Sequence, residues 1–206
     1  MVKLIAIIRG VHAEYINQIV ATLLHEGINK IEVSLSEEEM GLECIRRVSR
    51  HYKSSELNLG VGTVTNTRQA DLALLAGAQY VIMPGWDEDL VKYLQSKSIE
   101  VIPGVFSPTE VMWAMNLKIK LVKLFPADFL GPAYVKALSG PFTNMEYLAV
   151  GGVNLDSAID FLKGGYIGFG LGSCLVPRGA TNQDLKKIQK NAKDFMKLIK
   201  AYELTK

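Results

Sequence analysis

Eight short runs rich in β-branched and aliphatic residues punctuate the chain: LIAII (4–8), KIEVSL (30–35), LNLGVG (57–62), YVIM (80–83), EVIPG (100–104), IKLVKLF (119–125), EYLAV (146–150) and IGFGLG (167–172). Between them the apolar period lengthens from two towards three or four, the mark of amphipathic helices. In 13–26, Ile16, Ile19, Val20, Leu23 and Leu24 share one face and Gly27 supplies the stop. Segments 67–76 (with Thr67 as cap and Gly77 as stop), 87–96 (Asp87 as cap) and 155–163 (Asn154 as cap) read alike, and a last helix spans about Thr181 to Tyr202. Strand alternating with helix predicts a parallel sheet. Eight such units in 206 residues predict a single α/β domain over 1–206, a (β/α)8 TIM barrel, with a doubly wound open sheet as the alternative.

The alternation places polar side chains. In the second run Ile31, Val33 and Leu35 suit the helix layer, so Glu32 and Ser34 face the barrel interior. In the sixth, Leu121, Lys123 and Phe125 share one face and Val122 and Leu124 the other. The second and sixth strands of an eight-stranded ring stand opposite each other, so Glu32 and Lys123 face one another across the mouth. Arg9 and Thr63 fall on the same rim. A lysine in a buried strand calls for an explanation, because desolvating an ammonium costs several kcal/mol. A plain buried ion pair is one answer. The other is an amine that burial neutralises, able to attack a ketone and form a Schiff base, with Glu32 set back as proton acceptor. Gly151-Gly152 after the seventh run, and Gly170, Gly172 and Ser173 after the eighth, stand where barrels bind phosphate through backbone N–H groups and a helix N-terminus.

Other features are read structurally. Ser36 and Glu39 fit a capping box, Trp86 and Trp113 core or rim, and Met112 and Met115 helix packing. A formal charge of +2 points to no polyanion partner, and Lys186, Lys190, Lys193, Lys197 and Lys200 repeat at the spacing of a solvated helix face rather than a nucleic-acid or membrane patch. Cys44 and Cys174 have no CxxC neighbour, which suits reduced thiols in a cytoplasmic protein. His12, His25 and His51 lack metal spacing, and the apolar start before Arg9 is too short for a signal sequence.

Six segments, KIEVSL, GVGTVTN, IMPG, IPGVFSPTE, LVKLFPAD and AVGGVN…GLGSCLVP, taken in order from about residue 3 to about residue 200, resemble the 2-keto-3-deoxy-6-phosphogluconate / 4-hydroxy-2-oxoglutarate aldolase family. The resemblance implies a cofactor-free, metal-independent class I aldolase, usually a homotrimer, on a (β/α)8 barrel. It implies cleavage of a phosphorylated 2-keto-3-deoxy sugar acid, of gluconate or galactonate type, to pyruvate and glyceraldehyde 3-phosphate, in carbohydrate metabolism of the Entner–Doudoroff kind. Cleavage of 4-hydroxy-2-oxoglutarate to pyruvate and glyoxylate is a further expectation. Lys123 is then the Schiff-base lysine and Glu32 the acid/base residue. Thr63 would hold the pyruvyl carboxylate, Pro84 and Phe125 wall the pocket, Gly151, Gly152, Gly172 and Ser173 take the phosphate, and Arg9 serves anion recognition.

Two positions depart from the family pattern. Ser36 stands where many members carry an arginine, which leaves Arg9 and Thr63 more of the carboxylate binding. Val150 stands where gluconate-type members have threonine; it matches the galactonate-type relatives, as do LIAIIRG and FLGPAYVKAL. Two rival functions stay open on the residues alone: a sugar-phosphate isomerase or epimerase without a Schiff base, and a non-catalytic barrel that keeps the phosphate loops.

Overall fold

Burying the apolar runs on both faces demands a sheet wrapped by helices, and the chain achieves this by closing the sheet on itself. The computed structural model describes residues 1–205. The strands are β1 (Lys3–Ile8), β2 (Lys30–Ser34), β3 (Asn58–Gly62), β4 (Tyr80–Ile82), β5 (Glu100–Ile102), β6 (Gly104–Val105), β7 (Leu121–Leu124), β8 (Glu146–Val150) and β9 (Gly168–Leu171). They pair in the order β5-β4-β3-β2-β1-β9-β8-β7-β6, every neighbour parallel. β5 and β6 are two halves of the single predicted fifth strand, split at Pro103, which has no N–H to give a ladder. The ring closes there: Met83 N–H donates to the Ile102 carbonyl (3.1 Å) on one side and Lys123 N–H to the Pro103 carbonyl (2.9 Å) on the other. The fold is thus the (β/α)8 barrel, not the open sheet.

The helices α1 (Ala13–His25), α2 (Glu38–His51), α3 (Thr67–Ala76), α4 (Glu88–Ser96), α5 (Pro108–Asn116), α8 (Ala158–Lys163) and α9 (Leu185–Glu203) surround the ring, while the β7–β8 crossover uses two short pieces, α6 (Ala127–Leu130) and α7 (Tyr134–Leu138). Two apolar clusters result. The larger lies between strands and helices and takes Ile31, Val33, Val61, Val122, Leu124 and Phe169 from the outward strand positions. The smaller fills the barrel itself with Ile5, Ile7, Tyr80, Ile82, Ile102, Leu148 and Val150. The predicted alternation on β2 and β7 therefore holds, and it leaves Glu32 and Lys123 inside the ring. All five lysines of the α9 series are exposed.

Local signals were less reliable than the period. The cap of α3 is Asn66, whose side chain accepts from Gln69 N–H (2.9 Å); Thr67 is the first helical residue. Asp87 caps α4 as expected, accepting from Leu90 N–H. Asn154 does not cap a helix at 155: its Oδ1 accepts from Asp156 and Ser157 N–H, an Asx turn, and α8 begins only at Ala158. The expected Ser36–Glu39 capping box is absent, because Ser36 Oγ donates instead to Glu37 Oε2 (2.7 Å). Met112 and Met115 are not packed inside; with Trp113 each is about two-fifths exposed, at 43, 42 and 42%. Apolar periodicity cannot say whether a helix face meets its own core or another surface.

Candidate active site

The C-terminal ends of the strands open into a cavity of about 570 Å³, and its lining includes all ten residues expected there: Lys123 and Glu32, Arg9 and Thr63, Pro84 and Phe125, then Gly151, Gly152, Gly172 and Ser173. β7 lifts Lys123 into the ring, and the side chain is 7% exposed. Its Nζ lies 4.6 Å from the centre of the Phe125 ring. Glu32, 2% exposed, enters from β2 on the opposite side. No direct ion pair joins the two, and Glu32 Oε2 has no hydrogen-bond partner among the described residues.

Burial drives both groups towards neutrality. It pulls the Lys123 amine down from its ordinary value, against the pull of Glu32 upward, and the nearby Arg9 charge lowers it further. Burial pushes the Glu32 carboxyl up, with Lys123 and then Arg9 opposing. An amine of lowered basicity facing a carboxyl of raised pKa across a small cavity is suited to add to a carbonyl and to supply the proton that expels water.

Glu32 has its place because β3 lacks side chains there. Ser34 and Gly62 are register partners, and a methyl on Gly62 would overlap Glu32 Oε1 and Cδ outright. One layer down, Gly60 makes the same room for the Tyr80 ring. The next residue, Thr63, holds φ +63°, a left-handed conformation that a β-branched side chain adopts at a cost of about 1–3 kcal/mol. Its Oγ1 is 2.9 Å from Ser34 Oγ. The strain is spent at the rim, where Thr63 lines the cavity.

Opposite them, Gly151 and Gly152 have φ +93° and +73°, where L side chains are strained; a Cβ on Gly152 would overlap Asp128 outright, and one on Gly151 would press on Phe125 and Pro126 at 3.2–3.3 Å. After β9 the expected helix N-terminus is missing. Leu175 and Val176 N–H both donate to the Gly172 carbonyl (2.9 Å each), which makes one tight turn and no helix. Sequence reasoning also missed Arg178, which lines the same cavity from beyond that turn. It stands apart from any strand end in sequence, so no spacing signalled it.

Fold and cavity define a class: (β/α)8 barrels whose polar centre sits at the C-terminal mouth around one buried amine. Within that class the chain belongs to the KDPG and KHG aldolase family, whose model matches residues 1–191. It is 36% identical to a 2-dehydro-3-deoxy-phosphogluconate aldolase of Pseudomonas aeruginosa over 66% of this chain; that match spans 61% of the relative's length. It is 30% identical to a probable 2-dehydro-3-deoxy-6-phosphogalactonate aldolase of Rhizobium meliloti, over 89% of this chain and 86% of the relative. Among solved structures it resembles the KDPG aldolase of Legionella pneumophila, with pyruvate captured as a covalent carbinolamine intermediate (TM-score 0.81, 26% identity, covering 96% of this chain and 92% of that one).

Proposed function

We propose that the protein is a class I aldolase that cleaves a phosphorylated 2-keto-3-deoxy sugar acid, of gluconate or galactonate configuration, to pyruvate and glyceraldehyde 3-phosphate. The observation that carries this reading is the Lys123 amine, buried beside an aromatic wall and lowered in basicity, with Glu32 opposite and out of direct contact. The captured carbinolamine in the Legionella relative supports the covalent route.

The proton inventory closes on these two groups. The neutral Lys123 amine adds to the C2 ketone, giving a carbinolamine. Glu32, starting protonated, gives its proton to the departing hydroxyl, so water leaves and an iminium faces a carboxylate. That cation favours the ionised form of Glu32. The carboxylate, directly or through one water, then takes the C4 hydroxyl proton. The C3–C4 bond breaks, its electrons pass to the iminium as an enamine, and the aldehyde departs. Glu32 returns the proton to C3, and water hydrolyses the pyruvate iminium to free ketone and neutral amine, the proton released in that step going back to Glu32. Thr63 and Arg9 hold the pyruvyl carboxylate, Pro84 and Phe125 form the apolar wall, and Gly151, Gly152, Gly172 and Ser173 take the phosphate.

The test is borohydride reduction in the presence of pyruvate, followed by peptide mass spectrometry. An adduct at Lys123 is expected, and its absence overturns the covalent route. A coupled assay with the two phosphorylated epimers then fixes the substrate; Val150, the position whose resemblance is to the galactonate type, lies on the cavity wall.

The trapping rate carries a second prediction. Because it needs the free amine, it should rise with pH and reach half its maximum below the ordinary lysine value of 10.5. Glu32→Gln removes a group whose ionised form favours the ammonium, so the midpoint should move to lower pH. Arg9→Gln removes a charge that disfavours it, so the midpoint should move up. Equal midpoints in all three proteins would contradict the electrostatic account.

We further place the protein in the cytoplasm as a homotrimer. No helix among the described residues is long and apolar enough to cross a membrane. Phe106, Met112, Trp113, Met115 and Phe129 leave apolar surface around α5 and α6, with the Phe106 and Phe129 rings 5.9 Å apart and Trp86 and Trp113 6.3 Å apart. Such a face suits a second copy of the chain. Trp113→Glu is expected to shift the mass seen by light scattering from trimer to monomer.

A further inference from the structure

Arg178 belongs to no strand end, yet its position is built. The loop beyond the Ser173 turn folds back over the end of β1, where Gly179 N–H donates to the Arg9 carbonyl (3.0 Å). The Arg178 side chain lies across Gly10, at which a Cβ would come within 3.4 Å of Arg178 Cγ and 3.7 Å of Glu37 Oε1. Its Nη2 donates to Glu37 Oε1, and the other oxygen of that carboxylate accepts from Ser36 Oγ (2.7 Å). Ser36 is tied inward in turn: its N–H donates to Ser34 Oγ (3.2 Å), which is 2.9 Å from Thr63 Oγ1. A continuous polar chain thus runs from the rim residue Thr63 to a guanidinium at the mouth. Both Ser36 and Arg178 hold the Glu37 carboxyl below the usual range, so the tether is anionic. One guanidinium donor meets Glu37, and four of its five N–H groups stay available to the cavity it lines.

Depth decides which end of a substrate it meets. The ketone must reach Lys123, 7% exposed, so the neighbouring carboxylate also lies deep. The Arg178 side chain is 64% exposed and shares its loop with Ser173. Its loop carries Ser173, one of the residues assigned to the phosphate, which sets Arg178 beside the distal end of a chain held at Lys123. We propose that Arg178 is a specificity-determining residue that binds the terminal phosphate of the substrate, and that Glu37, held by Ser36, is its positioning residue. The assignment rests on the aldolase reading and extends it: Arg178 makes the enzyme prefer a phosphorylated end over a neutral hydroxyl end.

The test compares wild type, Arg178→Met and Arg178→Lys on a phosphorylated 2-keto-3-deoxy sugar acid and on its unphosphorylated counterpart, alongside borohydride trapping with pyruvate. For Arg178→Met, KM for the phosphorylated substrate should rise about 10- to 100-fold, the range of a lost charge-assisted hydrogen bond, with kcat within about twofold. Activity on the unphosphorylated substrate and the trapping rate should not change. Arg178→Lys should recover part of the loss, as it keeps the charge without the planar fork. Glu37→Ala should raise the same KM by less than Arg178→Met does. An unchanged KM, an equal loss on both substrates, or slower pyruvate trapping in Arg178→Met overturns the proposal. Failure of the wild type to trap pyruvate overturns the aldolase reading and this assignment with it.

Discussion

Lys123→Met is expected to yield no borohydride adduct with pyruvate and to lower kcat by about 10⁵-fold or more, the scale on which enzymes lose a covalent nucleophile. It is also expected to raise the melting temperature at neutral pH. Burial lowers the folded-state pKa of Lys123 below the 10.5 of the unfolded chain, so the folded protein binds that proton less well. The penalty is absent above 10.5 and grows as pH falls towards the folded value. The stability gained by the methionine variant should therefore be larger at neutral pH and shrink as pH approaches 10.5. Glu32 does not reverse this sign: without Lys123 it loses the larger of the two charges that lower its pKa, so the carboxyl is pushed further up. Calorimetric melts of both proteins between neutral pH and about 10 check the claim. A methionine variant that is less stable than wild type at neutral pH would mean that longer-range attraction between Lys123 and Glu32 outweighs the cost of burying the amine.

The second large effect is expected at a residue with no functional group. Gly62→Ala puts a methyl where Glu32 Oε1 and Cδ now lie, and Glu32, confined by β2, has to abandon its position opposite Lys123. Turnover should fall by about 10²- to 10⁴-fold, the usual contribution of a positioned acid/base group. The pyruvate adduct should still form, more slowly, because Lys123 is untouched. A double-mutant cycle separates this from general damage. In a Glu32→Ala background, where the carboxyl is already gone and its space is free, adding Gly62→Ala should cost little further activity. Additive losses would show that Gly62 acts by some other route.

These two positions mark how far reading the chain carries. Lys123 and Glu32 were legible because a strand alternates its faces. Val122 and Leu124 had to meet the helices, so Lys123 had to point inward, and the same logic on Ile31, Val33 and Leu35 turned Glu32 in. The ring, its strand order and the placement of the glycine loops followed from eight repeats of one period. The glycines of β3 carried no such message. In sequence Gly60 and Gly62 are weak strand residues; only the closed barrel shows that they are the space for Tyr80 and Glu32.

By itself, then, the sequence determined which elements form, how they alternate, and which side chains enter the barrel, because hydrophobic period is a local property of a strand or helix. Tertiary structure alone decided the rest. It split the fifth strand at Pro103, moved the helix caps, turned Ser36 towards Glu37 rather than into a capping box, and left Met112, Trp113 and Met115 on the surface. It also carried Arg178 to the mouth across more than 140 residues of chain from its partner Glu37. Such contacts depend on which distant loops ring closure brings together, and no local pattern records that.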